Sequence, residues 1–207
     1  MKRSLRIALL VTEALLYCAF LYLDLFTDID TRWLKYGSIL LIAFTSLRIV
    51  DKLLTCALCL TAAADAFLLV LDRWYAAGIL LFLIVQLLYS LHMRSRRTLY
   101  AQLILTILSI VLSVSSGRLE ALAGGYILVF LINLIRAGFH AAEIRSKESL
   151  LFFLGLLLFF CCDLCVGWYH IGNGPLWSFA RVAMWGFYLP GQVLILMSAF
   201  SNQGDRS

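Results

Sequence analysis

Eight apolar runs follow one another along the 207-residue chain and leave few residues for anything else. They lie at Leu5–Leu25, Trp33–Ile49, Leu53–Leu71, Tyr75–Leu91, Leu99–Ser115, Leu119–Phe139, Leu150–Tyr169 and Leu176–Phe200. A helix needs about 20 largely apolar residues to cross a ~30 Å hydrocarbon core, so each run predicts a transmembrane span. With 63% hydrophobic residues, 14% charged residues and a mean hydropathy of +0.94, the chain has too little polar surface to cover a water-soluble globule. Leu/Ile/Phe/Ala runs with two prolines predict an all-α polytopic membrane bundle, because a transmembrane barrel would alternate apolar and polar residues with period two. The whole chain, 1–207, reads as a single integral membrane domain. Lys2, Arg3 and Arg6 before an apolar stretch imitate a signal peptide, but Glu13 interrupts that stretch and no small-residue cleavage site follows, so it reads as a first span.

Orientation follows from the basic residues. With a cytoplasmic N-terminus, that side holds Lys2, Arg3, Arg6, Arg48, Lys52, Arg94, Arg96, Arg97, Arg136, Arg145, Lys147 and Arg206. The other side holds only Arg32, Lys35, Arg73, Arg118 and Arg181, which predicts both termini to be cytoplasmic. Trp33, Trp74, Trp168 and Trp177 gather at the non-cytoplasmic ends, at headgroup level. The net charge of +5 is modest and sits at helix ends, which argues against nucleic-acid binding; the expected location is the cell or inner membrane, as a multi-pass protein. The six cysteines include a Cys56/Cys59 pair and the Cys161, Cys162, Cys165 group, all inside spans and without the partners of a zinc site. They read as small apolar packing residues, with no disulfide and no metal.

The informative residues are acidic. A carboxylate at the centre of a span costs about 2.5–3.5 kcal/mol on insertion scales, so Glu13, Asp65 and Asp163 are candidate site residues. Asp65 and Asp163 each precede a polar rim residue, Asp72 and His170, by seven positions, about 10 Å at 1.5 Å per residue. The two carboxylates can therefore face each other at one depth. The span after Asp65 carries Gln86 and Tyr89, and the span after Asp163 carries Arg181, Trp185, Tyr188 and Gln192 on one face. This parallel suggests a four-plus-four internal repeat at the 98-residue offset between the aspartates. The plainer alternative is that the aspartates only bond neighbouring helices. Arg136 and His140 share a face with Asn133 and Tyr126 but approach the cytoplasmic end, where they can snorkel to water.

Asp163 on a Leu/Phe-rich helix, followed by Ala180-Arg181, Met184, Tyr188, Gln192 and Ser198, resembles the C-terminal signature of the YhhN-like lysoplasmalogenase family. Ala64-Asp65 followed by Leu68, Gly78, Phe82 and Tyr89 is similar to that family's earlier hairpin, with Ala64 at the position of its Gly and Gln86 at that of its His. Cys162 stands where the family has Ser. The resemblance is specific over about 58–90 and 154–198, and the eight-span plan with cytoplasmic termini matches throughout.

That resemblance implies hydrolysis of the vinyl ether bond of a lysoplasmalogen to a fatty aldehyde and a glycerophospho-amine. Such a reaction needs one neutral acid and one base, and two carboxylates in a low-dielectric cavity supply both by sharing a proton. The expected acid/base pair is Asp65 and Asp163. Gln86, Tyr89, Tyr188, Gln192 and Glu13 are the expected substrate-binding residues, with Arg181 and Arg73 receiving the phosphate. The expected partners are a lysophospholipid or ether lipid and the bilayer, with no cofactor. A lysolipid-binding or transport protein of the same fold, without turnover, is the alternative, since it too would bury paired aspartates.

Overall fold

The computed structural model describes residues 3–27, 29–49, 51–171 and 175–204. Among the described residues no strand occurs, and the elements follow as α1 (Arg3–Phe26), α2 (Arg32–Ser46), α3 (Lys52–Asp65), a π-helical segment (Ala66–Val70), α4 (Tyr75–His92), α5 (Arg96–Ser116), α6 (Leu119–Ile144), α7 (Lys147–Ile171) and α8 (Pro175–Gly204). The protein is a polytopic helical bundle, and among the described residues seven helical stretches are long and apolar enough to cross a membrane.

The stretch outside that number is α2, where the sequence predicts a span over Trp33–Ile49. The helix closes at Ser46, whose Oγ donates back to the Ala43 carbonyl at 2.6 Å. The N–H groups of Leu47, Arg48 and Ile49 then bond to carbonyls three residues back, tightening the chain out of the α-helix. Fifteen residues rise about 22 Å, short of the ~30 Å core. The chain nevertheless reaches the far rim, where Asp51 Oδ2 lies 2.6 Å from His92 Nδ1 at the end of α4. Asp51 also caps α3, its Oδ1 accepting from Leu53 N–H and Leu54 N–H.

At Asp65 the α-helical ladder changes. The Leu71 N–H reaches back five residues to the Ala66 carbonyl at 2.9 Å, the pattern of a π-turn. Asp72 (φ 48°) and Trp74 (φ 58°) then adopt left-handed backbone and turn the chain into α4. Leu68 of this segment packs onto Gly78, where a Cβ would sit 2.6 Å from the leucine Cγ.

The α7–α8 hairpin is the most extensive helix pair. A Cβ on Gly155 would come within 2.9 Å of the Gly191 carbonyl oxygen, and one on Gly191 within 3.0 Å of the Gly155 carbonyl oxygen, so two glycines let the backbones meet. One position earlier, Pro190 lies inside α8 and removes the N–H that would bond the Gly186 carbonyl. Tyr17 of α1 supplies the substitute donor, its hydroxyl 3.1 Å from Gly186 O. Arg6 near the start of α1 stacks on Phe200 near the end of α8, which brings both ends of the described chain to one rim. Helix α5 buries only Gln102 and Ser109.

Trp33, Trp74 and Trp168 are exposed, while the side chain of Trp177 lies outside the described residues. Lys2 and Arg206, two of the residues that weigh in the orientation, are also outside them. All six cysteines are free thiols.

Candidate active site

Asp65 ends α3 and Asp163 lies on α7, and the bundle brings them within electrostatic range of each other. Each carboxylate accepts a phenol from a different helix. The Tyr188 hydroxyl on α8 donates to Asp65 Oδ2 at 2.5 Å, and the Tyr126 hydroxyl on α6 donates to Asp163 Oδ2 at 2.6 Å. Asp65 is buried and Asp163 half-buried. An aromatic wall joins the two phenols: Phe82 lies 5.9 Å from Tyr126 and 5.6 Å from Phe159, and Phe159 lies 5.4 Å from Tyr188. The partners come from α8 and α6, so these two bonds are not related by the 98-residue offset suggested by the sequence.

Tyr126 is the site residue that sequence reading passed over. Its signal was the stripe it makes with Asn133 at i, i+7 on α6, which is buried over both positions. Asn133 Nδ2 donates to the Gln86 carbonyl at 2.7 Å and to Gln86 Oε1 at 2.8 Å, and the Gln86 amide lies beside the Tyr126 hydroxyl. Behind Asn133, Ser90 Oγ sits 2.7 Å from Asn133 Oδ1 and 2.5 Å from Gln102 Oε1. Gln102 Nε2 closes the network on the Val129 carbonyl. A chain of buried amides on α4, α5 and α6 thus backs the Asp163 side of the pair.

The remaining expected residues separate. Gln192 is fully buried, and neither its Oε1 nor its Nε2 has a hydrogen-bond partner. Tyr89 is fully buried one turn below Gln86, next to Thr61 on α3 and edge-on to Phe152 at 5.5 Å. Glu13 is buried on α1 with both carboxylate oxygens unpartnered. Tyr17 meets Gly186 and Arg6 meets Phe200, and this antiparallel register sets Glu13 level with about Gly191–Gln192 of α8.

A cavity of about 470 Å³ opens at the tryptophan-bearing rim. Its charged lining is Lys35, Arg32 and Arg181 with Asp24, Asp30 and Asp72, and Leu68 and Leu69 of the π-segment also line it. Arg181 is among the lining residues. Arg73 is not among the lining residues; it is exposed, with its guanidinium 5.3 Å from the Trp74 ring. Lys35, a rim cation by its place in the sequence, is buried. Its ammonium pairs with Asp24 at 2.6 Å and lies 4.9 Å from the Trp185 ring. The Arg32 backbone N–H, with its guanidinium, holds the Asp30 carboxyl below the usual carboxylate range.

These features define a helical membrane protein with a phenol-held pair of carboxylates inside the bundle and a charged cavity at one rim. The family model of the YhhN family matches residues 31–199, which include both aspartates and the three cavity cations Arg32, Lys35 and Arg181. The chain belongs to the YhhN family. No curated protein and no solved structure matches it.

Proposed function

We propose that the protein is a membrane-embedded hydrolase that cleaves the vinyl ether bond of lysoplasmalogens, with Asp65 and Asp163 as its acid/base pair. The observation that carries this reading is the pair itself, two carboxylates from α3 and α7 within electrostatic range, each with one oxygen occupied by a tyrosine hydroxyl. Family membership, and the similarity of the Asp65 and Asp163 segments to the lysoplasmalogenase signature, support it.

Two like charges close together in a low-dielectric site favour a single shared proton. The protonated carboxyl delivers that proton to the β-carbon of the vinyl ether, leaving an oxocarbenium ion. The ionised carboxylate takes a proton from water as the water oxygen bonds to the α-carbon. The resulting hemiacetal collapses to a fatty aldehyde and the freed glycerol hydroxyl, so one water is consumed and the pair returns to its singly protonated state. The Tyr126 and Tyr188 hydroxyls hold the carboxylates in place through this cycle, and the buried amide of Gln192 supplies a polar group for the water or the ether oxygen.

The test uses purified protein in detergent with alkenyl, alkyl and acyl lysolipids, reading aldehyde and fatty acid release. Aldehyde from the alkenyl substrate alone is expected. Asn keeps the shape of Asp but exchanges no proton at neutral pH, so Asp65→Asn and Asp163→Asn should each cut turnover by about 10²–10⁴-fold while leaving the fold intact. The double variant should be scarcely worse than either single one, because groups acting as a unit are not additive. Wild-type turnover in both single variants would end the mechanism. Binding of all three lipids without turnover would favour the binding-protein alternative.

A further inference from the structure

We propose that a layer of polar side chains beneath the aspartate pair is a water site, and that it supplies the water which the hydrolysis consumes. The supply role rests on the hydrolase reading above, whereas the water site stands without it.

Four helices build the layer. Leu68 and Leu69 line the rim cavity just after Asp65, and Arg181 lines it before Tyr188, so α3 runs toward the cavity and α8 away from it. Thr61 lies four residues before Asp65 and Gln192 four after Tyr188. Both therefore sit one turn, about 6 Å, beyond the Asp65–Tyr188 bond on the side away from the cavity, and on the faces that carry that bond. Tyr89 of α4 lies beside Thr61. Glu13 closes the layer from α1. The rings of Phe20 and Trp185 meet edge to face across α1 and α8 with centroids 5.9 Å apart. Seven residues back from Phe20 is Glu13, and seven on from Trp185 is Gln192, so two turns along the same antiparallel pair a carboxyl and an amide take the places of the two rings. Tyr17, four residues after Glu13 on the same face, touches α8 at Gly186. Glu13 lies outside the residues that the family model matches, so the layer is completed by a residue that the match does not include.

Each of these four side chains is at most 3% exposed. Neither oxygen of Glu13, neither polar atom of the Gln192 amide, and neither the Thr61 nor the Tyr89 hydroxyl has a hydrogen-bond partner among the described residues. A polar group buried without a partner forfeits the bonds it made to solvent, so the layer requires a ligand. Its donors and acceptors select which. The carboxyl and amide oxygens accept, the amide NH2 donates, and the hydroxyls do both. A cation would leave the donors unused, an anion would meet Glu13, and an alkyl chain would satisfy none of them. Water, which makes about three hydrogen bonds when buried, uses both kinds. Position gives this water its use. The layer and the cavity lie on opposite sides of the Asp65–Tyr188 bond, so a ligand that reaches the pair from the cavity leaves the water in place. The ionised carboxylate takes its proton from a water of this layer, and Glu13 and Gln192 are positioning residues that act through that water.

The experiment reads the layer first without reaction and then with it, on the full chain in detergent. Glu13→Leu and Gln192→Leu each leave the other side chain and its water short of a partner, whereas the double variant removes both polar groups at once. The unfolding midpoint of the double variant should therefore lie above the value obtained by adding the two single shifts, and additive shifts would overturn a shared site. A crystal structure of the wild-type protein should show ordered water between Glu13 and Gln192. This arm needs no variant, so it decides the site even where a Leu variant fails to fold. A direct bond between the two side chains with no water, or a midpoint that depends on Na+ or K+ at fixed ionic strength, would overturn it as a water site. With the alkenyl lysolipid, Glu13→Leu should lower kcat by about tenfold to a hundredfold and leave KM within about twofold, because the water is misplaced while the lipid is not. Glu13→Gln still bonds water and should recover most of that loss. A loss as large as that of the Leu variant would make Glu13 a proton-transfer group, and wild-type kcat in Glu13→Leu would end the supply role. No aldehyde from the wild-type protein would remove the hydrolase reading and the supply role with it, while the midpoints and the crystal structure still decide the water site.

Discussion

Asp51 shows how much one carboxylate does at the rim opposite the cavity. It caps α3 through two backbone N–H groups and joins α3 to α4 through His92. The His92 hydrogen bond comes first among the causes that hold its carboxyl below the ordinary carboxylate range. A depressed carboxylate contributes stability that is present above its unfolded-state value and is lost as pH falls through its folded-state value. Replacing the side chain by Ala removes the cap as well, at a cost of about 1 kcal/mol. Thermal unfolding of Asp51→Ala in detergent should therefore show a lower midpoint than wild type at neutral pH. The gap should close as the pH drops below about 3.9, the usual Asp value. A gap that persisted unchanged into acid would show that ionised Asp51 is not its source.

At the scale of elements, the α7–α8 hairpin carries Asp163 on one helix and Tyr188 on the other, so its packing sets the geometry of the pair. That packing depends on Gly155 and Gly191, where added side chains would press on opposing backbone. Gly191→Val should cost about 1–3 kcal/mol by overpacking and lower turnover as Tyr188 moves with α8. Unfolding midpoint and aldehyde release should fall together, and wild-type values for both would show that the hairpin does not need the close approach. The break at Pro190 behaves differently. The Gly186 carbonyl has lost its helical donor and bonds Tyr17 instead, so Tyr17→Phe should destabilise by about 1 kcal/mol, the net contribution of one part-buried hydrogen bond. The same variant in a Pro190→Ala background should be nearly neutral, because the backbone N–H of residue 190 then takes the carbonyl. Equal losses in both backgrounds would sever the link between the tyrosine and the proline.

At the scale of the molecule, Lys and Arg weigh twelve to five toward the side of the termini. A reporter fused after Arg97 should read cytoplasmic and one fused after Arg73 non-cytoplasmic. That outcome would put the rim cavity, Lys35 and Arg181 on the non-cytoplasmic face, and the reverse pattern would put them in contact with the cytoplasmic leaflet. The short α2 enters here too: a chain that crosses with a fifteen-residue helix depends on the turn at 47–49 to complete the distance, and only with that crossing do the ends of α1 and α8 share a rim.

The helical bundle, its element order and the acidic residues worth attention were legible in the sequence, because apolar run length and the cost of an intramembrane carboxylate are local properties that need no neighbour. Asp65 and Asp163 could be picked out in that way, and Tyr188 and Gln192 by the helix face they share. Which hydroxyl holds which carboxylate could not: Tyr126 reaches Asp163 from α6 and Tyr188 reaches Asp65 from α8, and such pairings depend on how helices cross, which periodicity within one helix does not encode. The same holds for Lys35 and Arg73. Both read as rim cations, yet burial against Trp185 and pairing with Asp24 set Lys35 into the cavity wall, whereas Arg73 turns onto Trp74. Distance along the chain determined that these charges lie at a rim; only the packing of α1, α2 and α8 around one another decided which of them lines the cavity.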